Sequence, residues 1–144
     1  MTDGFALKSW VIDVINKVTK KTVPKYSTNE TVVGTWVDGK PIYRKVFKVP
    51  AGFVISNSSY SEFPNAIIKN CDLLISATFM ATNGLGDTCN TCNYSFHFAM
   101  NTDGHLKALS SRNGTSDSIY GNSECKGYVM AEYTKTTDKA TIKV

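Results

Sequence analysis

The sequence predicts a mainly β fold: an antiparallel β-sandwich or jelly-roll-like domain preceded by one short N-terminal amphipathic helix. Three observations predict it. From residue 31 onward, short runs rich in Val, Ile, Thr and aromatic residues alternate with Gly-, Asn- and Asp-bearing turns, at the spacing of about 8–12 residues typical of sandwiches. A helical period occurs only in residues 5–21. No strand–helix–strand alternation follows, which argues against a doubly wound parallel sheet. A chain of 144 residues has the size of one β-domain with a short extension, divided here as 1–25 for the helix and 26–144 for the sandwich.

In the helix, Leu7, Trp10, Val11, Val14, Ile15 and Val18 step by three and four onto one face. Lys8, Asp13, Asn16, Lys17, Lys20 and Lys21 flank that face, and the C-terminal lysines complement the helix dipole. Pro24 forbids continuation. A helix this short is marginal alone in water, so its apolar face needs a partner. The partner is its own β-domain, copies of itself, or another protein. Its terminal position, behind the polar segment 22–30, favours an intermolecular partner, and the steps fit two heptads of a coiled-coil seam. These six residues are the candidate oligomerisation and attachment site.

Segments 31–37 and 42–49 form the first expected hairpin, across Asp38-Gly39-Lys40-Pro41, with Trp36 expected in the core. Pro50-Ala51-Gly52 punctuates, and a short strand follows at 53–56. Segment 57–65 reads as a polar loop whose Tyr60 and Phe63, with Tyr120 further on, are candidate ligand-contact aromatics. Strands are expected at 66–68 and 73–80, then a Gly- and Cys-bearing loop at 81–91. Segment 94–100 alternates, with Tyr94, Phe96, Phe98 and Met100 on one side. Asn101-Thr102-Asp103-Gly104 turns into a strand at 105–109, and a polar loop at 110–117 leads to a short strand at 118–120. Strands at 128–134 and 140–144 close the domain around Lys135-Thr136-Thr137-Asp138.

The formal net charge of +4 is too small to indicate nucleic-acid binding without a concentrated patch. Lys40, Arg44, Lys45 and Lys48 do gather around the first hairpin with Tyr43 and Phe47 between them, a pattern expected of a solvated strand face over an aromatic core face. No run approaches the ~18 apolar residues of a membrane span, so no membrane partner is expected. The first residues lack the basic and apolar regions of a secretory leader, so the thiols Cys71, Cys89, Cys92 and Cys125 are expected reduced or in a loop disulfide. Cys89 and Cys92 form a C-x-x-C, a weak metal candidate because no second pair completes it. No metal and no cofactor are expected. His97 and His105 have no carboxylate or thiol at useful spacing, and no nucleophile elbow or H-E-x-x-H motif occurs. Gly84-Leu85-Gly86 has Cys89 where a dinucleotide fingerprint needs its third glycine. The expectation is a protein that binds and assembles, with no enzymatic activity.

The stretch from Tyr26-Ser27-Thr28 and Glu30 through Val33-Gly34-Thr35-Trp36-Val37-Asp38-Gly39-Lys40-Pro41-Ile42-Tyr43-Arg44-Lys45-Val46-Phe47 resembles the opening of a β-sandwich domain of tailed-phage fibre and appendage virion proteins. Glu132-Tyr133-Thr134-Lys135-Thr136-Thr137-Asp138 resembles that domain's close, and the two signatures bracket the β region in the right order. The resemblance implies a structural part of the virion, assembled in the host bacterial cytoplasm. It also implies a homotrimer, capsid or tail proteins as partners, and outward loops that meet the host surface, including its glycans. No catalytic residue comes with it. Only the helix precedes the domain in this sequence, so a small head fibre, capsid decoration or tail appendage is expected over a long tail fibre. Residues 139–144 extend past the closing signature. The alternative is a stand-alone carbohydrate-binding module.

Overall fold

The computed structural model describes residues 8–15, 26–82, 88–90, 96–110, 117–118 and 127–144, with the backbone alone for residues 82, 88–90 and 117–118. Residues 8–15 are helical (α1). The strands are β1 (Thr31–Thr35), β2 (Pro41–Val49), β3 (Val54–Ile55), β4 (Ser61–Ile67), β5 (Cys71–Thr82), β6 (Thr88–Asn90), β7 (Phe96–Met100), β8 (His105–Ser110), β9 (Asp117–Ser118) and β10 (Gly127–Lys135). The protein is a mainly β, antiparallel sandwich. One sheet runs β1-β2-β10-β5-β6; facing it are β4-β8-β7 and the short pair β3-β9.

Side chains alternate across the pleat, and that alternation builds the core. In β10, Val129, Ala131 and Tyr133 point inward, level with Phe47, Lys45 and Tyr43 of β2 and with Phe79, Ala77 and Leu74 of β5. In β8, Leu106, Ala108 and Ser110 alternate inward the same way. Phe63 of β4 joins the layers, its ring 5.1 Å from Phe53, 5.7 Å from Phe79 and 6.3 Å from Phe98. Phe96, Phe98 and Met100 pack against this core, on the side that the alternation of 96–100 predicts. Phe47 is buried and Tyr43 packs on the core, while Arg44 and Lys48 lie on the opposite face of β2. Trp36 is half-buried and stands outside the buried cluster, because it lies past the end of β1 in the turn.

Two elements differ from the sequence reading. The segment read as a polar loop, 57–65, supplies most of β4. Its alternation is hidden: Asn65 takes a φ of 60° and the β4–β8 register shifts between Glu62 and Ile67. The bulge places the buried positions Phe63 and Ala66 three apart, where an unbroken strand would place them two apart. Pro64 fits because β4 is an edge strand, where a missing N–H breaks no ladder bond. The second difference is at 140–144, which forms no strand. A hairpin after β10 needs a free edge on β10, but β2 and β5 occupy both. The chain leaves the sheet and is pinned instead to the first hairpin: the Thr141 and Ile142 amides donate to the Asp38 carbonyl at 2.8 and 2.9 Å. β5 also runs past the expected 73–80, and β6 forms within the expected loop 81–91.

The turns at 36–40 and 101–104 repeat one device. The Gly39 amide donates to the Trp36 carbonyl at 2.9 Å and the Gly104 amide to the Asn101 carbonyl at 3.0 Å, each glycine with positive φ (89° and 84°). A Cβ at Gly39 would overlap Thr141 Oγ1, which can rotate away, and would lie 3.1 Å from Thr141 Cβ and 3.3 Å from its amide nitrogen, contacts that a small shift relieves. A Cβ at Gly104 would lie 2.5 Å from the Ile68 carbonyl oxygen, which cannot move without the backbone. Gly39→Ala is therefore expected to cost about 1 kcal/mol, mostly left-handed strain, and Gly104→Ala about 3 kcal/mol. Urea denaturation of both variants checks the ranking. Equal costs would mean that the Ile68 contact contributes nothing.

Candidate functional site

The two signature segments come together at β1, β2 and β10. Glu30 accepts hydrogen bonds from the Tyr133 hydroxyl and from the Lys135 ammonium. Lys135 Nζ also stands 4.4 Å from the centre of the Tyr43 ring, which stacks on Tyr133 with centroids 6.0 Å apart. On the other face of the sheet, Arg44 donates to Glu132 Oε1 from Nε at 2.7 Å and also from Nη2. Ser76 Oγ donates to Glu132 Oε2 at 3.3 Å, and the Arg44 guanidinium lies 4.7 Å from the Tyr26 ring centre. The Ser27 carbonyl accepts from the Val46 amide at 2.9 Å. Segment 26–30 is thus strapped to both faces of the sheet, and every charge in the strap has a partner.

The electrostatics suit a brace. Burial opposes ionisation of Glu30, but the hydrogen bonds from Lys135 and Tyr133 and the Lys135 and Lys45 charges outweigh it, and its carboxyl is held below the usual range. Burial, followed by the Glu30 hydrogen bond and charge, pushes the Tyr133 phenol far up, so it stays a donor. Because the folded carboxyl has the lower pKa, its stabilisation is present above pH 4.5 and is lost as pH falls through the folded value. Glu30→Gln is expected to cost about 1 kcal/mol at pH 7, and the gap to the parent protein should close in acid. Denaturation of both proteins across pH measures this. A gap that widened in acid would contradict the assignment.

The helix presents a different surface. Trp10 is 63 % exposed and Val14 38 %, and Val11 and Ile15 are exposed as well. Leu7 and Val18 lie outside the described residues. Ile12, off the face counted from the sequence, is 57 % exposed. At 3.6 residues per turn Trp10, Val14, Val11 and Ile15 span about 140° of the helix, and Lys8 stands between Ile15 and Ile12.

Of the ligand-contact aromatics, Phe63 is 1 % exposed and is a core residue; the bulge in β4 turns it inward, so it is not a surface contact. Tyr60 is exposed, but Lys107 Nζ sits 4.9 Å from its ring centre and occupies a stacking face. Tyr120 lies outside the described residues, as does Cys92; Cys89 lies in β6 with its side chain undescribed. Among the described residues no three His, Cys, Asp or Glu side chains group as metal ligands. Cys71 is half-buried, and burial, with Asp72 adding to it, pushes its thiol up to about 11, so it is a neutral, unreactive group. No helix among the described residues is long and apolar enough to cross a membrane.

Among the described residues, a groove of about 580 Å³ lies between the turns at 68–72 and 101–104. The sequence reading missed it because its walls come from separate hairpins.

No protein family, curated protein or solved structure matches this chain.

Proposed function

We propose that this chain is a non-enzymatic structural virion protein of a tailed phage: a small head fibre, capsid decoration or tail appendage. It assembles as a homotrimer in the host bacterial cytoplasm, attaches to capsid or tail proteins through α1, and turns its β-domain toward the host surface. The observation that carries this reading is the strap. Residues 26–47 and 132–138, whose resemblance to appendage domains suggested the role, engage one another through Glu30, Tyr133, Lys135, Arg44 and Glu132. Side chains that brace one another across the sheet suit a part that must stay folded on a particle. The exposed apolar arc of α1 supports the trimer. An arc of about 140° is wider than a strict two-position coiled-coil seam uses and leaves room for two neighbouring helices.

Two measurements test the reading. Sedimentation equilibrium of the purified chain is expected to give three times the 15.8 kDa monomer mass. Peptide mass spectrometry of density-purified particles from the phage that encodes it is expected to recover this chain. A chain confined to the soluble lysate, with none on the particles, would sink the virion role.

A further inference from the structure

We propose that the groove between the turns at 68–72 and 101–104 binds an uncharged saccharide, and that it lies at the outward end of the domain. The orientation rests on the attachment reading above; the binding does not. The two ends of the sandwich differ. Segment 26–30 enters alongside β2 from the Val49 side, with Ser27 level with Val46 and Thr31 with Arg44. The described chain therefore enters the domain at that end. The turns at 36–40, 68–72, 101–104 and 135–138 all lie at the opposite end, as the pairings of Thr35 with Pro41, Ile67 with His105 and Lys135 with Cys71 require. Tyr60 precedes Ser61, which pairs with Ala108 toward the entry end. A domain held by its helix turns the groove outward and Tyr60 back.

The groove is preformed. The Ile68 amide donates to the Gly104 carbonyl at 2.9 Å, tying one wall to the other. The Thr136 amide donates to the Asn70 carbonyl at 2.8 Å. Asn101 Oδ1 accepts from the Asp103 and His105 amides at 3.1 and 2.8 Å, and Asn101 Nδ2 donates to Glu62 at 2.8 Å. Walls fixed in this way spare a ligand the cost of ordering loops. A volume of about 580 Å³ is that of a small-molecule site.

The lining chooses the ligand class. Leu74 and Met100 supply an apolar surface, while Lys69, Asn70, Thr102 and Asp103 supply ammonium, amide, hydroxyl and carboxylate groups. Asp72 is neutralised by Lys40 at 2.5 Å, which leaves Lys69 and Asp103 as opposite charges. A balanced groove holds no strong preference for a cation or a polyanion. Amide and carboxylate groups beside an apolar strip fit vicinal hydroxyls and the C–H face of a sugar ring.

The test is a titration of the full chain with neutral oligosaccharides of hexoses and N-acetylhexosamines and with uronic-acid oligosaccharides, followed by amide chemical shifts. Shifts are expected at residues 69–72 and 101–104, with the neutral sugars. Asp103→Ala and Asn70→Gly should each weaken binding about 3- to 10-fold. Glycine at 70 deletes the amide yet accepts the φ of 58° there, so the turn keeps its shape. No shift at any sugar, a preference for the uronic acids, or shifts centred on Tyr60 would each overturn the proposal. Trimer mass and particle peptides are read separately, so a silent groove would leave the virion reading standing, and a bound sugar would not rescue it.

Discussion

Phe63→Ala should lower the unfolding free energy by about 3–5 kcal/mol. The side chain is 1 % exposed and packs between β4 and the five-stranded sheet, its ring 5.7 Å from Phe79 and 5.1 Å from Phe53. Removing it opens a cavity where two layers meet, and neither layer can collapse to fill it without shifting a strand register. Tyr60→Ala, three residues away and 45 % exposed, should change stability by no more than about 0.5 kcal/mol. Urea denaturation of the pair separates core from surface directly. If Phe63→Ala unfolded at the parent midpoint, Phe63 would be a surface aromatic and the bulge in β4 would be wrong. Phe63→Leu is the control, because it keeps most of the volume and should fall between the two.

The same residue shows where sequence reasoning stops. Phe63 sits among Ser61, Glu62, Pro64 and Asn65, a neighbourhood of loop residues, and the Asn65 bulge removes the period-two pattern that would have revealed a strand. Where the register is unbroken the pattern is legible: β7 and β8 follow their alternation, β10 does so as far as Tyr133, and the turn of the first hairpin forms around Asp38-Gly39. The lost strand at 140–144 depends on a different kind of information. Nothing local in Ala140-Thr141-Ile142-Lys143-Val144 opposes a strand. What opposes it is that β10 lies between β2 and β5, a fact of topology. The strap follows the same logic. Glu30 and Lys135 are ordinary surface types in the sequence, 105 positions apart, and only the closing of β10 against β2 makes them partners. The groove is non-local again, with Asn70 and Asp103 contributed by hairpins of different strands. Local pattern carried the strands, and the sites lie where strands from distant parts of the chain meet.

The helix carries the second large effect. Trp10→Asp with Val14→Asp is expected to convert the proposed trimer to monomers while leaving the β-domain's thermal midpoint unchanged. Both side chains are exposed in the single chain, so the monomer gains little from them. In a three-helix bundle each would be buried, at about 1.5–3 kcal/mol per side chain, and two from each of three helices sum to the order of 10 kcal/mol. Aspartates on the same face add mutual repulsion and desolvation to that loss. Sedimentation equilibrium reads the mass, and near-ultraviolet circular dichroism of the core aromatics reads the domain. The strap makes the separation clean, because Glu30, Tyr133 and Lys135 hold the entry segment to the sheet whatever the helix does. Two outcomes would overturn the assignment. A monomeric parent protein would remove the bundle outright. A lowered domain midpoint with unchanged mass would put the apolar arc of the helix against its own sandwich, the alternative that the exposure of Trp10 and Val14 argues against.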